Sequence, residues 1–264
     1  MINRTFTIGG ELTVNRLGYG AMRLTGQPGN FGPYPDWQRG LELLRRANDL
    51  GVGFFDSAWA YGPETADRII GEALEGRSAV IATKGGVDKP APGNIVTDGS
   101  RDTLLRQIDK ALVNLRRDRI DLFQLHRVDP ETPIEVSVAA LAEAQADGRI
   151  GHIGLSNVTR TDLERALTVS PVASVQNRFN MAETGEQDLV AFTAERGIAF
   201  IPYGPLGANP MKTGARLEPR QAIAWLLAHA PNIIVIPGTT SITHLEDNWR
   251  AWDIAEQAGQ ERKR

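Results

Sequence analysis

Short apolar runs recur along this chain and stop at Gly20, Asp56, Lys84, His126, Ser156, Gln176, Tyr203 and Pro237, with longer stretches of helical pattern between them. The runs have the length of buried strands, and residues 37–50, 101–115, 133–146 and 220–230 carry helical periodicity. In residues 101–115, Leu104, Leu105, Ile108, Ala111, Leu112 and Leu115 make one stripe, with Asp102 in the first turn and Arg116 and Arg117 at the end, as the helix dipole favours. Gly51, Gly148 and Gly197 fall just past helical segments, where a left-handed cap is wanted. Eight strand–helix units of about 30 residues each close most simply into a parallel (β/α)8 TIM barrel, an α/β fold. The opening Thr5-Phe6-Thr7-Ile8-Gly9-Gly10-Glu11-Leu12-Thr13-Val14 reads as an N-terminal β-hairpin, since two glycines suit a tight turn. The expected organisation is a single barrel domain over residues 1–264. A doubly wound sheet competes, but Gly18-Tyr19-Gly20-Ala21-Met22-Arg23 lacks the third glycine of a dinucleotide turn, and no P-loop or Gly-x-Ser-x-Gly elbow is present.

Composition removes several chemistries. The chain has no cysteine, which excludes disulfides, thiolate catalysis and cysteine-ligated metals. Its formal net charge is −3, and the densest basic clusters, around Arg116-Arg117-Asp118-Arg119 and at the tail Glu261-Arg262-Lys263-Arg264, contain acids and read as solvated surface, so nucleic acid is not an expected partner. Four histidines without paired helical spacing argue against a catalytic metal. No run reaches the roughly 18 apolar residues of a membrane span, and the N-terminal residues lack a signal-peptide core; a cytoplasmic, monomeric protein is expected.

Asp56, Lys84 and His126 each end a strand-like run, and Tyr61 lies one short loop beyond Asp56. Parallel strands would bring all four to one rim. Each residue has a structural reading alone: Asp56 as a helix cap, Tyr61 as turn packing, Lys84 as a solvated lysine, His126 as a core histidine. Together they suit proton delivery. A phenol of pKa about 10 is a poor acid at neutral pH, and a nearby ammonium lowers that value. Lys84 would do so, Asp56 would hold Lys84, and His126 would donate to a carbonyl oxygen as charge develops there. Side chains supply no hydride, so a nicotinamide cofactor is implied.

With these residues in view, the sequence resembles the aldo-keto reductases from end to end. Gly53-Phe54-Phe55-Asp56-Ser57-Ala58-Trp59-Ala60-Tyr61-Gly62, Ala82-Thr83-Lys84 and Asp121-Leu122-Phe123-Gln124-Leu125-His126 are similar to the family's catalytic segments. Val14-Asn15-Arg16-Leu17-Gly18-Tyr19-Gly20-Ala21-Met22 is most similar to a bacterial branch that includes pyridoxal reductases. The resemblance implies reduction of an aldehyde or ketone, with Tyr61 as general acid, Lys84 and Asp56 as its tuners and His126 as carbonyl orienter. It also implies NADPH, with NADH possible, held by Gly20, Ala21, Met22, Asp56, Ser156, Asn157, Gln176, Tyr203, Gly204, Leu206, Gly238, Thr239, Thr240, Ser241, His244, Asp247 and Asn248. Read alone, Ser156-Asn157 would also serve as the N-cap of a helix starting near Thr161, and Gln176 as a satisfied strand edge. Three departures stand out. Gly238 and His244 occupy positions where many members grip the 2′-phosphate with lysine and arginine. Gly204 replaces a frequent serine. Short loops after Tyr203 and after the last helix imply an open pocket, which leaves a second reading: a cofactor-sensing regulatory module with little turnover. A lyase or isomerase using Lys84 as a Schiff-base amine is a third, opposed by the neighbouring Asp56.

Overall fold

The computed structural model describes residues 2–207 and 218–261, the last four as backbone. In chain order its elements are β1 (Thr5–Ile8), β2 (Leu12–Asn15), β3 (Tyr19–Gly20), α1 (Trp37–Asp49), β4 (Phe54–Asp56), α2 (Thr65–Ala73), β5 (Val80–Gly85), β6 (Val87–Ala91), β7 (Asn94–Thr97) and α3 (Arg101–Leu115). There follow β8 (Ile120–Leu125), α4 (Ile134–Ala146), β9 (Ile150–Ser156), α5 (Arg160–Leu167), β10 (Ser174–Gln176), α6 (Gln187–Glu195), β11 (Ala199–Phe200), α7 (Pro219–His229), α8 (Ile242–Trp249) and α9 (Ala251–Glu261).

Seven strands form one parallel sheet in the order β11-β10-β9-β8-β5-β4-β3. Residues 233–235 join its two edges. Ile234 N donates to Phe200 O at 2.9 Å on one side, and Val235 N donates to Arg16 O at 2.8 Å on the other. Parallel bridges Phe200–Ile233 and Leu17–Val235 record the same closure, so the sheet is a (β/α)8 barrel.

Strand alternation divides the core into two layers. Phe54, Ala82, Leu122, Ala199 and Ile234 point into the barrel, while Phe55, Ile81, Phe123, Leu155 and Val175 pack outward under the helices. Ile8 and Val14 of the β1–β2 hairpin belong to the inner cluster, so the hairpin plugs one end of the barrel. Its turn uses Gly9 and Gly10 at φ 59° and 77°, the left-handed values that glycine tolerates without a Cβ clash. Beside the plug, the buried Arg16 donates to the carbonyls of Asn3, Leu227, Ala230 and Ile233.

One local reading changes, and one element was not anticipated. The N-cap of α5 is Thr159, in a capping box with Asp162, so Ser156 and Asn157 are not used as that helix's cap. The chain after Lys84 does not run straight into α3: β6 and β7 form an antiparallel hairpin on the barrel rim, turning at Pro92-Gly93. Among the described residues, no helix is long and apolar enough to cross a membrane.

Candidate active site

The same alternation that sends Phe54 inward sends Asp56 inward one step further along β4, at the carboxyl rim. On β5, Ala82 and Lys84 follow the same rule, and Thr83 faces outward to bond Asp67 of α2 at 2.8 Å. On β8, Leu122 and Gln124 point inward and His126 lies one residue past the strand end. Strand pairing sets Lys84 beside Gln124. The four rim residues therefore converge because period-two alternation and parallel register agree.

Lys84 Nζ lies 2.7 Å from Asp56 Oδ2 and donates to Ser57 O at 2.6 Å. Asp56 Oδ1 accepts from Gln176 Nε2 at 2.8 Å and from Gln124 Nε2 at 3.3 Å. A buried carboxylate with one ammonium and two amide donors is well satisfied, which a lone buried charge would not be. Tyr61 is held by its own loop: Trp59 N donates to Lys84 O at 2.9 Å, Tyr61 N to Ala58 O at 3.0 Å, and the Trp59 indole to Asp88 at 2.6 Å. The Tyr61 ring centroid lies 5.2 Å from Lys84 Nζ and 5.9 Å from the His126 ring, edge-on at 84°.

The electrostatics differ in one respect from the expectation of a lysine-acidified phenol. Burial raises the Tyr61 pKa; the nearby Lys84 ammonium pulls it back without cancelling the rise, and Asp56 and Tyr203 add to it. Tyr61 thus keeps its proton at neutral pH. For Lys84, burial disfavours the charge, yet Asp56 and Tyr61 outweigh it and its pKa is raised. Burial, then the charges of Lys84 and Arg127, hold His126 well below the usual histidine value, so its imidazole is neutral. His126 Nδ1 is buried without a partner.

The cavity beside these groups has two connected lobes of about 380 Å³ each, sharing Met22, Tyr61, Gln176, Arg178, Tyr203 and Gly204. Gly20, Asp56, Leu206, Ile236 and Gly238 line the first; His126, Ser156, Asn157, Val87, Lys89, Ile95 and Arg127 line the second. Asn157 sits at φ 56°, a left-handed value that asparagine adopts more readily than most residues. From there its amide donates to His126 O at 3.0 Å and accepts from Tyr203 Oη at 2.8 Å. Ser156 Oγ donates to Gln176 O at 2.9 Å.

The remaining sequence candidates fall outside the lobe walls. Ala21 N donates to Asp56 O at 2.9 Å. Thr239 Oγ1 accepts from Ser241 N at 3.1 Å, and Ser241 caps α8 by accepting from His244 N at 3.4 Å. Thr240 precedes that cap, and Asn248 is buried near the far end of α8. Asp247 is engaged by Arg220 and Arg250 at 3.8 and 3.9 Å. Gly238 has a steric reason to be glycine: a Cβ there would stand 2.7 Å from Gly20 O, and one on Gly20 2.8 Å from Ile236 O. A large side chain at 238 is therefore incompatible with the strand packing at the rim.

Sequence reading missed Arg23, Lys89, Ile95, Arg127 and Arg178 as cavity residues. Arg127 and Arg178 lay within reach, one or two positions past recognised strand ends. Lys89 and Ile95 were hidden because the Pro92-Gly93 turn signal went unread.

Residues 16–222 match the model of the aldo/keto reductase family, and the chain belongs to that family. It is accordingly an NAD(P)H-dependent oxidoreductase. It is 38% identical over 269 residues to pyridoxine 4-dehydrogenase of Escherichia coli, covering 95% of this chain and 93% of that one. It is 35% identical over 257 residues to an uncharacterised oxidoreductase of Schizosaccharomyces pombe, covering 93% and 84%. Its backbone is similar to an aldo-keto reductase from Klebsiella pneumoniae solved with NADPH, at a TM-score of 0.81 and 23% identity, covering 98% and 94%.

Proposed function

We propose that this protein reduces aldehydes or ketones to alcohols with NADPH, Tyr61 giving the proton. The observation that carries the reading is the Lys84–Asp56 pair at 2.7 Å, with the Tyr61 ring 5.2 Å from the ammonium, at the wall of an open cavity. Tyr61 holds its proton at neutral pH, as an acid must. As an alkoxide develops on the substrate, the fixed ammonium stabilises the phenolate left behind, so its worth grows along the reaction. Neutral His126 donates a hydrogen bond to the same oxygen and orients it without competing for the proton.

The lining fits a nicotinamide cofactor. Ser156, Asn157 and Gln176 supply the hydroxyl and amide groups that suit a carboxamide, and the Tyr203 ring, pinned through its hydroxyl to Asn157, offers a stacking face. Gly20, Gly204, Leu206 and Gly238 leave backbone close to the first lobe, and the N-terminus of α8, with Thr239, Thr240, Ser241 and His244, suits the phosphates. When bound, the dihydronicotinamide supplies the hydride. The structure of the Klebsiella pneumoniae reductase with NADPH supports the choice of cofactor, and the identity to pyridoxine 4-dehydrogenase makes pyridoxal the first substrate to try.

The test is loss of dihydronicotinamide absorbance across a panel of aldehydes and ketones, pyridoxal included, with NADPH and NADH in parallel. Turnover that disappears in Tyr61→Phe while the cofactor still quenches intrinsic fluorescence is the expected result. Tight cofactor binding without turnover on any member of the panel would instead favour the sensing module.

A further inference from the structure

The lobe around His126 carries a charge pattern that proton transfer does not use. Among the described residues its walls include Lys89, Arg127 and Arg178 and no carboxylate. The whole chain has a net charge of −3, so this sign is local and not a consequence of composition. Two of the three cations are already engaged. Lys89 Nζ donates to the carbonyls of Gly29 and Asn30, fastening the loop after β3 to the rim hairpin. Arg178 pairs with Glu183 at 2.6 Å. Arg127 has no carboxylate or hydrogen-bond partner among the described residues, and its charge is felt at both His126 and Tyr203. The same wall carries apolar side chains: Val87 is buried, and Ile95 and Met22 stand 51% and 43% exposed. The lobe thus presents apolar side chains beside polar ones, with one guanidinium unpartnered among the described residues.

We propose that the substrate is an aldehyde or ketone bearing an anionic group, a carboxylate or a phosphate, which Arg127 receives while the carbonyl faces Tyr61 and His126. This rests on the reductase reading above. A guanidinium offers two parallel N–H donors that match either oxyanion, and Arg127 is exposed on the lobe wall, open to a group entering the lobe. The cofactor's own phosphates do not explain Arg127, because the residues that suit them line the first lobe and α8, whereas Arg127 lines the second lobe alone.

Matched substrates test the inference: 4-oxobutanoate against its methyl ester for a carboxylate, and pyridoxal 5′-phosphate against pyridoxal for a phosphate. The quantity read is the ratio of kcat/KM, anionic over neutral, within each enzyme, so any change that Arg127 makes to His126 cancels. One pair should give a ratio of about ten or more in the unaltered protein, falling toward one in Arg127→Gln and largely returning in Arg127→Lys. Raised ionic strength should lower the ratio as well. Ratios at or below one in both pairs, or a ratio unmoved by Arg127→Gln, would overturn the proposal. So would an NADPH dissociation constant that weakens in Arg127→Gln by the same factor, since the arginine would then serve the cofactor. If no member of either pair is reduced at all, the reductase reading fails first, and with it the substrate assignment.

Discussion

Arg16 and Lys84 are both almost wholly buried cations, at opposite ends of one barrel, and they are accommodated in different ways. Arg16 lies at the plugged end, where its guanidinium donates to four backbone carbonyls and meets no carboxylate among the described residues. Burial pulls its pKa down to about 10, so it stays charged at neutral pH. Lys84 lies at the open end, bonded to Asp56 and facing Tyr61 and the cavity, and its pKa is raised. A cation saturated by fixed neutral dipoles is a rivet. A cation balanced by one carboxylate and left beside a titratable phenol is an electrostatic instrument. Burial alone does not tell them apart; the partners do.

Replacing Lys84 by Met is the harshest way to sharpen the comparison, because it strikes both stability and rate. It strands Asp56 as an unpaired buried charge, a loss of about 3–5 kcal/mol in unfolding free energy by urea titration, and it should abolish turnover. A folded Lys84→Met enzyme with normal turnover would break the distinction. Tyr61→Phe should act on rate alone, lowering kcat by about a hundredfold to ten-thousandfold with the urea midpoint little changed. Arg16→Met is the mirror experiment. It leaves several buried carbonyls without donors and should cost about 3 kcal/mol of stability, while kcat per folded molecule stays at the wild-type value. A large fall in kcat there would mean that the two ends are coupled.

The smallest effect concerns Asp67, buried behind Lys84 and bonded to Thr83. Burial pushes its carboxyl from 3.8 up to about 6, against the hydrogen bond from Thr83 and the charge of Lys84. Between those values the folded protein holds a proton that the unfolded chain has released. Stability therefore falls as pH rises from about 4 to about 6, by roughly 2–3 kcal/mol from this residue. Asp67→Asn, which cannot ionise, should remove that part of the slope in urea titrations at pH 4.5 and about 7. An unchanged slope would show that the carboxyl titrates normally.

Much of this arrangement was legible in the chain. Period-two alternation ending in Asp56, Lys84 and a histidine just beyond β8 places all three at a common rim once the strands are parallel. The glycine pair at 9–10 announced its turn for an equally local reason. Other features depended on long-range geometry. Closure by residues 233–235 needs both sheet edges in space. The preference for glycine at 238 depends on Gly20, which lies far away in sequence. Ser156 and Asn157 were readable as a helix cap until Thr159 was seen to fill that role.

The sequence by itself determined the barrel, the opening hairpin and the meeting of an acid, a phenol, an amine and an imidazole, because periodicity and strand direction are properties of the covalent order. Only the tertiary structure decided the protonation of that quartet and the charge of its cavity. Desolvation overrides Lys84 at Tyr61 and drives His126 neutral. Folding also gathers Lys89, Arg127 and Arg178 from three separate segments around one lobe. Burial and charge proximity belong to the packed molecule and not to any stretch of the chain.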